Sequence, residues 1–376
     1  MQIVKEVRKM NSIKQIEVIY NNCEVGRLAL TKDGLCAFEY AIEWIQDGFS
    51  ISPFELPLRS GVFVANPRPF YGGFGVFDDC LPDGWGLLVL DKYLQQQGIN
   101  PRRLTLLDRL ALVGSTGRGA LEFRPDKSVV TKQDYSDLEK LALEAEQILG
   151  SDNYTGDGIE EFQRRGGSPG GARPKIFTHY EGKEWLVKFR AKQDSMRIGL
   201  EEYEYSILAK RCGIEMPETR LFEDKYFGVE RFDRTTNGKL HVVSIAGLIG
   251  ADYRIPSIDY IHIFQVCATL THNITELWKV YRLMVFNYLI DNKDDHAKNF
   301  AFIYRNGEWH FAPAYDLLPS DGINSFHTTS INDSIEPMKD DLFAVAVKAG
   351  LNKREAKEIF EMINEIISNN SSLKIS

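Results

Sequence analysis

Cysteine is scarce, and its placement excludes two ways of stabilising a fold. Cys23, Cys36, Cys80, Cys212 and Cys267 are dispersed over 376 residues, with no CxxC pair and no zinc-type spacing. A disulfide framework and a structural zinc centre are thereby set aside, and reduced, mostly packed thiols are expected. Long apolar runs are also missing. Nothing approaches the length of a membrane span, and MQIVKEVRKMNSIKQIEVIY lacks the continuous apolar core of a secretory signal. The expected location is the cytoplasm, with no membrane partner. Positive charge is not in excess: the net charge is −8, so no direct nucleic-acid binding is predicted. What is present is ordinary for a folded globular chain, with 43% hydrophobic and 26% charged residues, and the length predicts two or three domains.

Taken in order, the first 125 residues read as a small α+β domain. Ile16, Val18 and Tyr20 alternate with polar neighbours, Asn21-Asn22 can turn, and Val25 to Leu30 returns, which predicts an opening hairpin. A helix is expected after Leu81-Pro-Asp-Gly84, with Leu87, Leu88, Leu90, Tyr93 and Leu94 on its apolar face, and another over 104–113. No catalytic constellation falls in this part. Residues 126–160 read as a helical connector, because Leu138, Leu141, Ala142, Ala145 and Ile148 recur at helical spacing.

Composition then shifts sharply. The stretch from Arg164 to Lys175, RRGGSPGGARPK, joins four glycines to several cations. Glycines let the backbone approach an anion and aim N–H groups at it, while Arg and Lys supply charge. That is a phosphate cradle in principle, although it matches neither GxxxxGK[ST] nor GxGxxG and equally suits a surface loop. Next comes a short apolar strand, Glu184-Trp-Leu-Val-Lys188-Phe. A lysine inside such a strand calls for a charged partner or an edge facing water. The helix expected over 199–212 offers Glu201, Glu202 and Glu204, any of which could face Lys188.

The densest chemistry lies between Asp291 and Leu318, DNKDDHAKNFAFIYRNGEWHFAPAYDLL. A polar loop holds Asp294, Asp295, His296, Lys298 and Asn299. Two apolar runs follow, split by Asn306-Gly307, a pair that tolerates positive φ and strongly signals a hairpin. The hairpin would return Asp316 beside Asn299 and Asp294, gathering the hard oxygen ligands that Mg²⁺ prefers. Asp294 and Asn299 also have the Asp-x4-Asn spacing of the protein-kinase catalytic loop, where the Asp serves the attacking hydroxyl and the Asn holds metal.

In this order the motifs resemble the HipA-type serine/threonine kinases, the toxin members of bacterial toxin–antitoxin pairs. The resemblance is carried by Ser168-Pro-Gly-Gly-Ala-Arg-Pro-Lys175, Trp185-Leu-Val-Lys188-Phe, Val229-Glu-Arg-Phe-Asp-Arg234, Asn292-Lys-Asp-Asp-His-Ala-Lys-Asn299 and Ala312-Pro-Ala-Tyr-Asp-Leu-Leu-Pro319. Leu81-Pro-Asp-Gly84 and Gly119-Ala-Leu-Glu-Phe123 are similar to the family's N-terminal domain.

The resemblance implies an α+β fold in which a small N-terminal domain, 1–125, packs on a kinase-like core. That core comprises a nucleotide-binding part, 161–235, reached through the 126–160 connector, and a mainly helical lobe, 236–376, with the catalytic loop and metal site. By motif position Asp294 is the catalytic Asp, Asn299 and Asp316 are the Mg²⁺ ligands, and Lys188 is the ATP-phosphate lysine. Gly170, Gly171, Ala172, Arg173, Pro174 and Lys175 would cover the phosphates, and backbone groups of Glu230, Arg231 and Phe232 would meet adenine. His296 and Lys298 complete the nucleotide-side loop, with His296 bracing it, while Glu202 and Asp295 are supporting. Ser168 corresponds to an autophosphorylation site that switches the enzyme off. The cofactors implied are ATP and Mg²⁺. The implied partners are a small DNA-binding antitoxin of the HipB type and a protein substrate such as an aminoacyl-tRNA synthetase. Pro169 and Pro174 depart from an all-glycine cradle by removing two N–H donors. Two other readings use the same residues: a small-molecule kinase, and a non-catalytic nucleotide-binding module.

Overall fold

The structure, a computed structural model, describes residues 13–129, 137–151, 154, 156, 158–166, 170–322 and 324–370. The α+β class expected from the sequence is the class observed. The chain forms two compact units. One comprises Met1–Gly199 with Leu221–His241, and the other Leu200–Arg220 with Val242–Ser376.

The first unit opens with an antiparallel sheet ordered β4-β3-β2-β1-β5, built from β1 (Gln15–Tyr20), β2 (Cys23–Leu30), β3 (Cys36–Tyr40), β4 (Val62–Val64) and β5 (Leu121–Arg124). Asn21 and Asn22 both take positive φ, 46° and 65°, and close the predicted hairpin between β1 and β2. A register shift at Val18/Ile19 turns both of these residues inward. Gly26 of β2 has no room for a side chain, since a Cβ would strike the Glu39 carbonyl of β3. Among its helices are α1 (Ile42–Asp47), α2 (Gly75–Asp78), α3 (Gly84–Gln96) and α4 (Leu106–Val113). Thr105 and Asp108 form a capping box at the start of α4, satisfying its first N–H groups.

The connector supplies α5 (Leu138–Gly150) and α6 (Gly158–Gly166). A second sheet follows, ordered β6-β7-β9-β8, from β6 (Lys175–Tyr180), β7 (Lys183–Lys188), β8 (Thr219–Phe222) and β9 (Tyr226–Glu230). One apolar core joins these parts: Trp85 and Val89 of α3 meet Leu138, Leu141 and Ile148 of α5, Phe162 of α6, and Ile176, Trp185 and Val187 of the sheet. Burying each large side chain contributes about 1.5–3 kcal/mol, so the core unites the N-terminal domain with the sheet that follows it.

The second unit is mainly helical, as expected. It contains α7 (Ile198–Arg211), α8 (Ile245–Ile249), α9 (Tyr260–Thr271), α10 (Ile274–Leu289), α11 (Lys339–Lys348) and α12 (Lys353–Ser368). After the short antiparallel pair β10 (Arg234–Thr235) and β11 (Gly238–Lys239) of the first unit, a small sheet ordered β12-β14-β15 uses β12 (His241–Ser244), β14 (Ala301–Arg305) and β15 (Glu308–Phe311), with β13 (Ile258–Asp259) between them in the chain. The predicted hairpin is β14–β15, with Arg305 opposite Glu308 and Asn306 and Gly307 at φ 55° and 86°. Tyr281 in α10 donates to the Ala356 carbonyl of α12 at 3.0 Å and fixes those two helices together.

Candidate functional site

The loop after α10 is held from within. Asn292 is buried and donates from Nδ2 to Asn287 Oδ1 at 3.1 Å. His296 begins a 3-10 turn over Ala297–Asn299 and accepts the Lys298 N–H on Nδ1 at 3.2 Å. Asn299 reaches back and donates from Nδ2 to the Asp294 carbonyl at 2.7 Å, which leaves its amide oxygen as the donor atom for a cation. Lys298 is buried with its ammonium 4.0 Å from the Tyr253 ring centroid, a cation–π contact. Asp294 itself is exposed.

Asp295, its neighbour, is 1% exposed and has a different part. Its Oδ1 accepts the N–H groups of Thr328 at 3.0 Å and Thr329 at 3.1 Å. Its Oδ2 accepts from Tyr260 Oη at 3.1 Å and faces His327 Nδ1 at 3.2 Å. Burial and the Asp295 carboxylate raise the Tyr260 hydroxyl well above its ordinary pKa, so it remains a donor. Four contacts saturate this carboxylate, and its work is to shape the loop.

The hairpin carries the chain to Asp316. The Phe311 N–H donates to buried Glu276 at 2.9 Å, and the Ala314 N–H donates to the Glu215 carbonyl at 2.8 Å. Tyr315 Oη then donates to the Lys298 carbonyl at 2.6 Å, tying the residue before Asp316 to the residue before Asn299. Asp316 has φ 59°, a left-handed conformation unusual outside glycine.

In the first unit, β6 and β7 set Lys175 directly opposite Lys188. Like charges directly opposite each other in this way are unfavourable in themselves. Lys188 Nζ lies 5.6 Å from the Phe227 ring centroid, and Lys175 Nζ donates to the Gly170 carbonyl. The glycine-rich loop leans on the N-terminal domain. The Gly171 N–H donates to the Asp83 carboxylate, the Trp85 N–H donates to the Gly171 carbonyl at 2.9 Å, and the Trp85 indole donates to the Lys175 carbonyl at 3.2 Å. Arg173 is held bidentately by Asp194 at 3.0 and 3.1 Å. Gly170 and Ala172 are exposed and Pro174 is buried; Ser168 lies outside the described residues.

Glu230, Arg231 and Phe232 sit where β9 ends. The Glu230 carboxylate pairs with Lys183 at 2.8 Å, and the Arg231 N–H donates to the Glu184 carbonyl at 2.9 Å. The Arg231 side chain turns into a buried cluster with Asp233, Arg234 and Glu184. Asp233 also accepts the Gly119 N–H at 2.8 Å, and Arg234 donates to the carbonyls of Gly117 and Gly119, each at 2.9 Å. Burial acts to raise the Asp233 carboxyl, but Arg231 and Arg234 hold it well below the usual range. Burial and Arg231 push the Arg234 guanidinium down to about 10. Glu202 is buried in α7. Sequence reasoning passed over Tyr260, His327, Thr328 and Thr329, whose partners are distant in the chain. Glu-Arg-Phe-Asp-Arg was noticed as a motif, but not as the anchor of Gly117 and Gly119.

An α+β chain with this loop and hairpin falls in a class whose curated relatives are named as kinases. The profile of the HipA-like C-terminal domain matches residues 167–370, and that of the HipA N-terminal domain matches 16–124. The chain belongs to the HipA family. It is 26% identical over 360 residues to Y4dM of Sinorhizobium fredii, named as a candidate kinase, covering 88% of this chain and 84% of that protein. It is 22% identical over 345 residues to the serine/threonine-protein kinase toxin HipA of Shewanella oneidensis, covering 80% and 74%. A solved complex of HipA, HipB and operator DNA from Shewanella oneidensis MR-1 has the same fold, with TM-score 0.68, 20% identity, and coverage of 94% of this chain and 91% of that one.

Proposed function

We propose that the protein is an ATP- and Mg²⁺-dependent serine/threonine protein kinase of the HipA toxin type, acting in the cytoplasm. The observation that carries this reading is the division of labour in the loop: Asp295 is buried and saturated while adjacent Asp294 is exposed, and Asn299 is tied back to the Asp294 carbonyl. Asp294 accepts the proton of, or orients, the attacking hydroxyl. Asn299 and Asp316 offer one amide and one carboxylate oxygen, a donor set that suits Mg²⁺ taking its remaining oxygens from phosphate and water. The metal would neutralise charge on the transferring phosphate. Lys188 and the 170–175 loop serve the nucleotide phosphates, with Glu230 to Phe232 toward adenine, His296 and Lys298 on the loop's nucleotide side, and Glu202 supporting.

The proposed substrate is a translation component such as an aminoacyl-tRNA synthetase, and the proposed partner is a small DNA-binding antitoxin of the HipB type. No helix among the described residues is long and apolar enough to cross a membrane. Transfer of labelled phosphate from ATP to lysate proteins, compared with Asp294→Ala, tests the reading: wild type should label protein and the variant should not. Labelling of small molecules alone would replace it with a small-molecule kinase. Autophosphorylation at Ser168 is tested by phosphosite mapping after incubation with Mg-ATP; an active enzyme left unmodified there rejects it. A phosphoserine would add close to two negative charges beside the proposed phosphate cradle.

A further inference from the structure

The residues on both sides of Asp294 are bound to one later segment of the chain. On one side, the Lys293 N–H donates to the Ser320 carbonyl at 3.1 Å, and the Lys293 carbonyl accepts Thr328 Oγ1 at 2.9 Å and the Thr328 N–H at 3.1 Å. On the other, Asp295 takes His327, Thr328 and Thr329 on its carboxylate and Thr329 Oγ1 on its carbonyl. The segment is itself fixed beyond this point: β13 (Ile258–Asp259) runs parallel to β16 (Thr329–Ser330), and Asp259 accepts from Ser330 Oγ at 2.7 Å and the Asp333 N–H at 2.8 Å. Asp294 is thus the exposed residue between two clamped ones.

We propose that Ser320 and the segment 324–333 form a strap that sets the catalytic loop, and that His327 is its positioning residue, holding Asp295 so that Asp294 is aimed. The inference rests on the kinase reading above. An ionised carboxylate only accepts, so His327 must present its Nδ1–H to Oδ2. Both groups are buried, His327 at 4% exposure, so water cannot replace a lost donor without opening the strap. Of the side chains on Oδ2, Tyr260 is anchored independently by Asn287 Nδ2 at 3.0 Å. His327 alone brings that oxygen the strap. Loss of this contact would let the 293–295 backbone shift, and small misplacements of a reacting group cost about tenfold or more in rate.

The test compares His327→Leu, which fills the space without a donor, with His327→Asn, whose Nδ2–H can stand near the Nδ1–H position. His327→Leu should lower kcat about tenfold or more with KM for ATP little changed, and His327→Asn should recover most of it, both assayed well below their melting midpoints. A leucine variant with wild-type kcat overturns the proposal, as does a loss that asparagine does not recover. Should the leucine variant fail to fold, Thr329→Val removes the strap hydroxyl that donates to the Asp295 carbonyl at nearly constant shape: reduced kcat with KM retained supports the strap, and unchanged kcat overturns it. Asp294→Ala in parallel separates the two readings. An active Asp294→Ala sinks the assignment of the catalytic residue, whereas an inactive Asp294→Ala beside a fully active His327→Leu sinks only the strap. Amide hydrogen exchange reads the strap without catalysis: protection over 293–299 should fall about tenfold in His327→Leu, or in Thr329→Val if leucine does not fold, and unchanged protection overturns the inference.

Discussion

Acidification should destabilise the protein through His241 by an amount that can be worked out beforehand. His241 is buried at 1% exposure, its Nε2 lies 2.8 Å from the Ile51 carbonyl, and its ring is 5.6 Å from that of Phe49. Burial pushes its pKa down to about 4, outweighing the carbonyl, which favours the charged form. In the unfolded chain the value returns to about 6.5. The folded state therefore binds fewer protons than the unfolded state between these limits. Stability is full above pH 6.5, declines as the pH falls, and levels off below 4. The whole displacement corresponds to roughly 3 kcal/mol at 1.36 kcal/mol per pH unit, of which about 2.5 kcal/mol is lost by pH 4.5. The perturbation is His241→Gln, which keeps an N–H for the Ile51 carbonyl and cannot titrate. Urea unfolding at pH 7.5 and 4.5 measures both proteins. Carboxylate titrations are common to the two and cancel in the comparison. Wild type should lose about 2.5 kcal/mol more than the variant across this interval. Parallel losses, agreeing within about 0.5 kcal/mol, would refute the argument that the ring is neutral when folded.

Glu55 should show the opposite sign. Burial raises its carboxyl to about 7, the Gly75 N–H lowering it and Asp79 adding to the rise, so its contribution is full below about 4.5 and is lost as the pH climbs to 7. Discounted for its partial exposure, Glu55→Gln should stabilise by about 2 kcal/mol at pH 8 and by nothing at pH 4; equal shifts in melting temperature at both pH values would sink this. Gly84→Ala places a Cβ against the Gly171 carbonyl at a residue with φ 45°. It should cost about 1–2 kcal/mol and displace the glycine-rich loop, raising KM for ATP several-fold while saturating kcat changes less. An unchanged KM counts against a nucleotide role for that loop.

Where structure follows from neighbours in sequence, it was legible. Asn306-Gly307 fixed the β14–β15 hairpin because only two central residues need positive φ. The helix α11 was not anticipated, although Leu342, Phe343, Val345 and Ala346 form its buried face and Asp341 caps its start. What no local pattern could disclose is the set of contacts between distant residues. Asp295 was marked as supporting, but its partners stand at Tyr260 and at 327–329. Arg231 was expected near adenine through its backbone, and its guanidinium proves to be engaged by Asp233 and Glu184.

The cluster of Asp233 with Arg231 and Arg234 bears on how such a chain could be divided. Family profiles separate 16–124 from 167–370, which invites expression of the second piece alone. That fragment would leave Arg234 without the Gly117 and Gly119 carbonyls and would strip Trp85 and Val89 from the apolar floor made by Ile176, Trp185 and Val187. Truncation there would produce a sticky half rather than a minimal enzyme. A workable split would have to supply the missing half in trans, with α3 and the Gly117–Gly119 turn on the same piece.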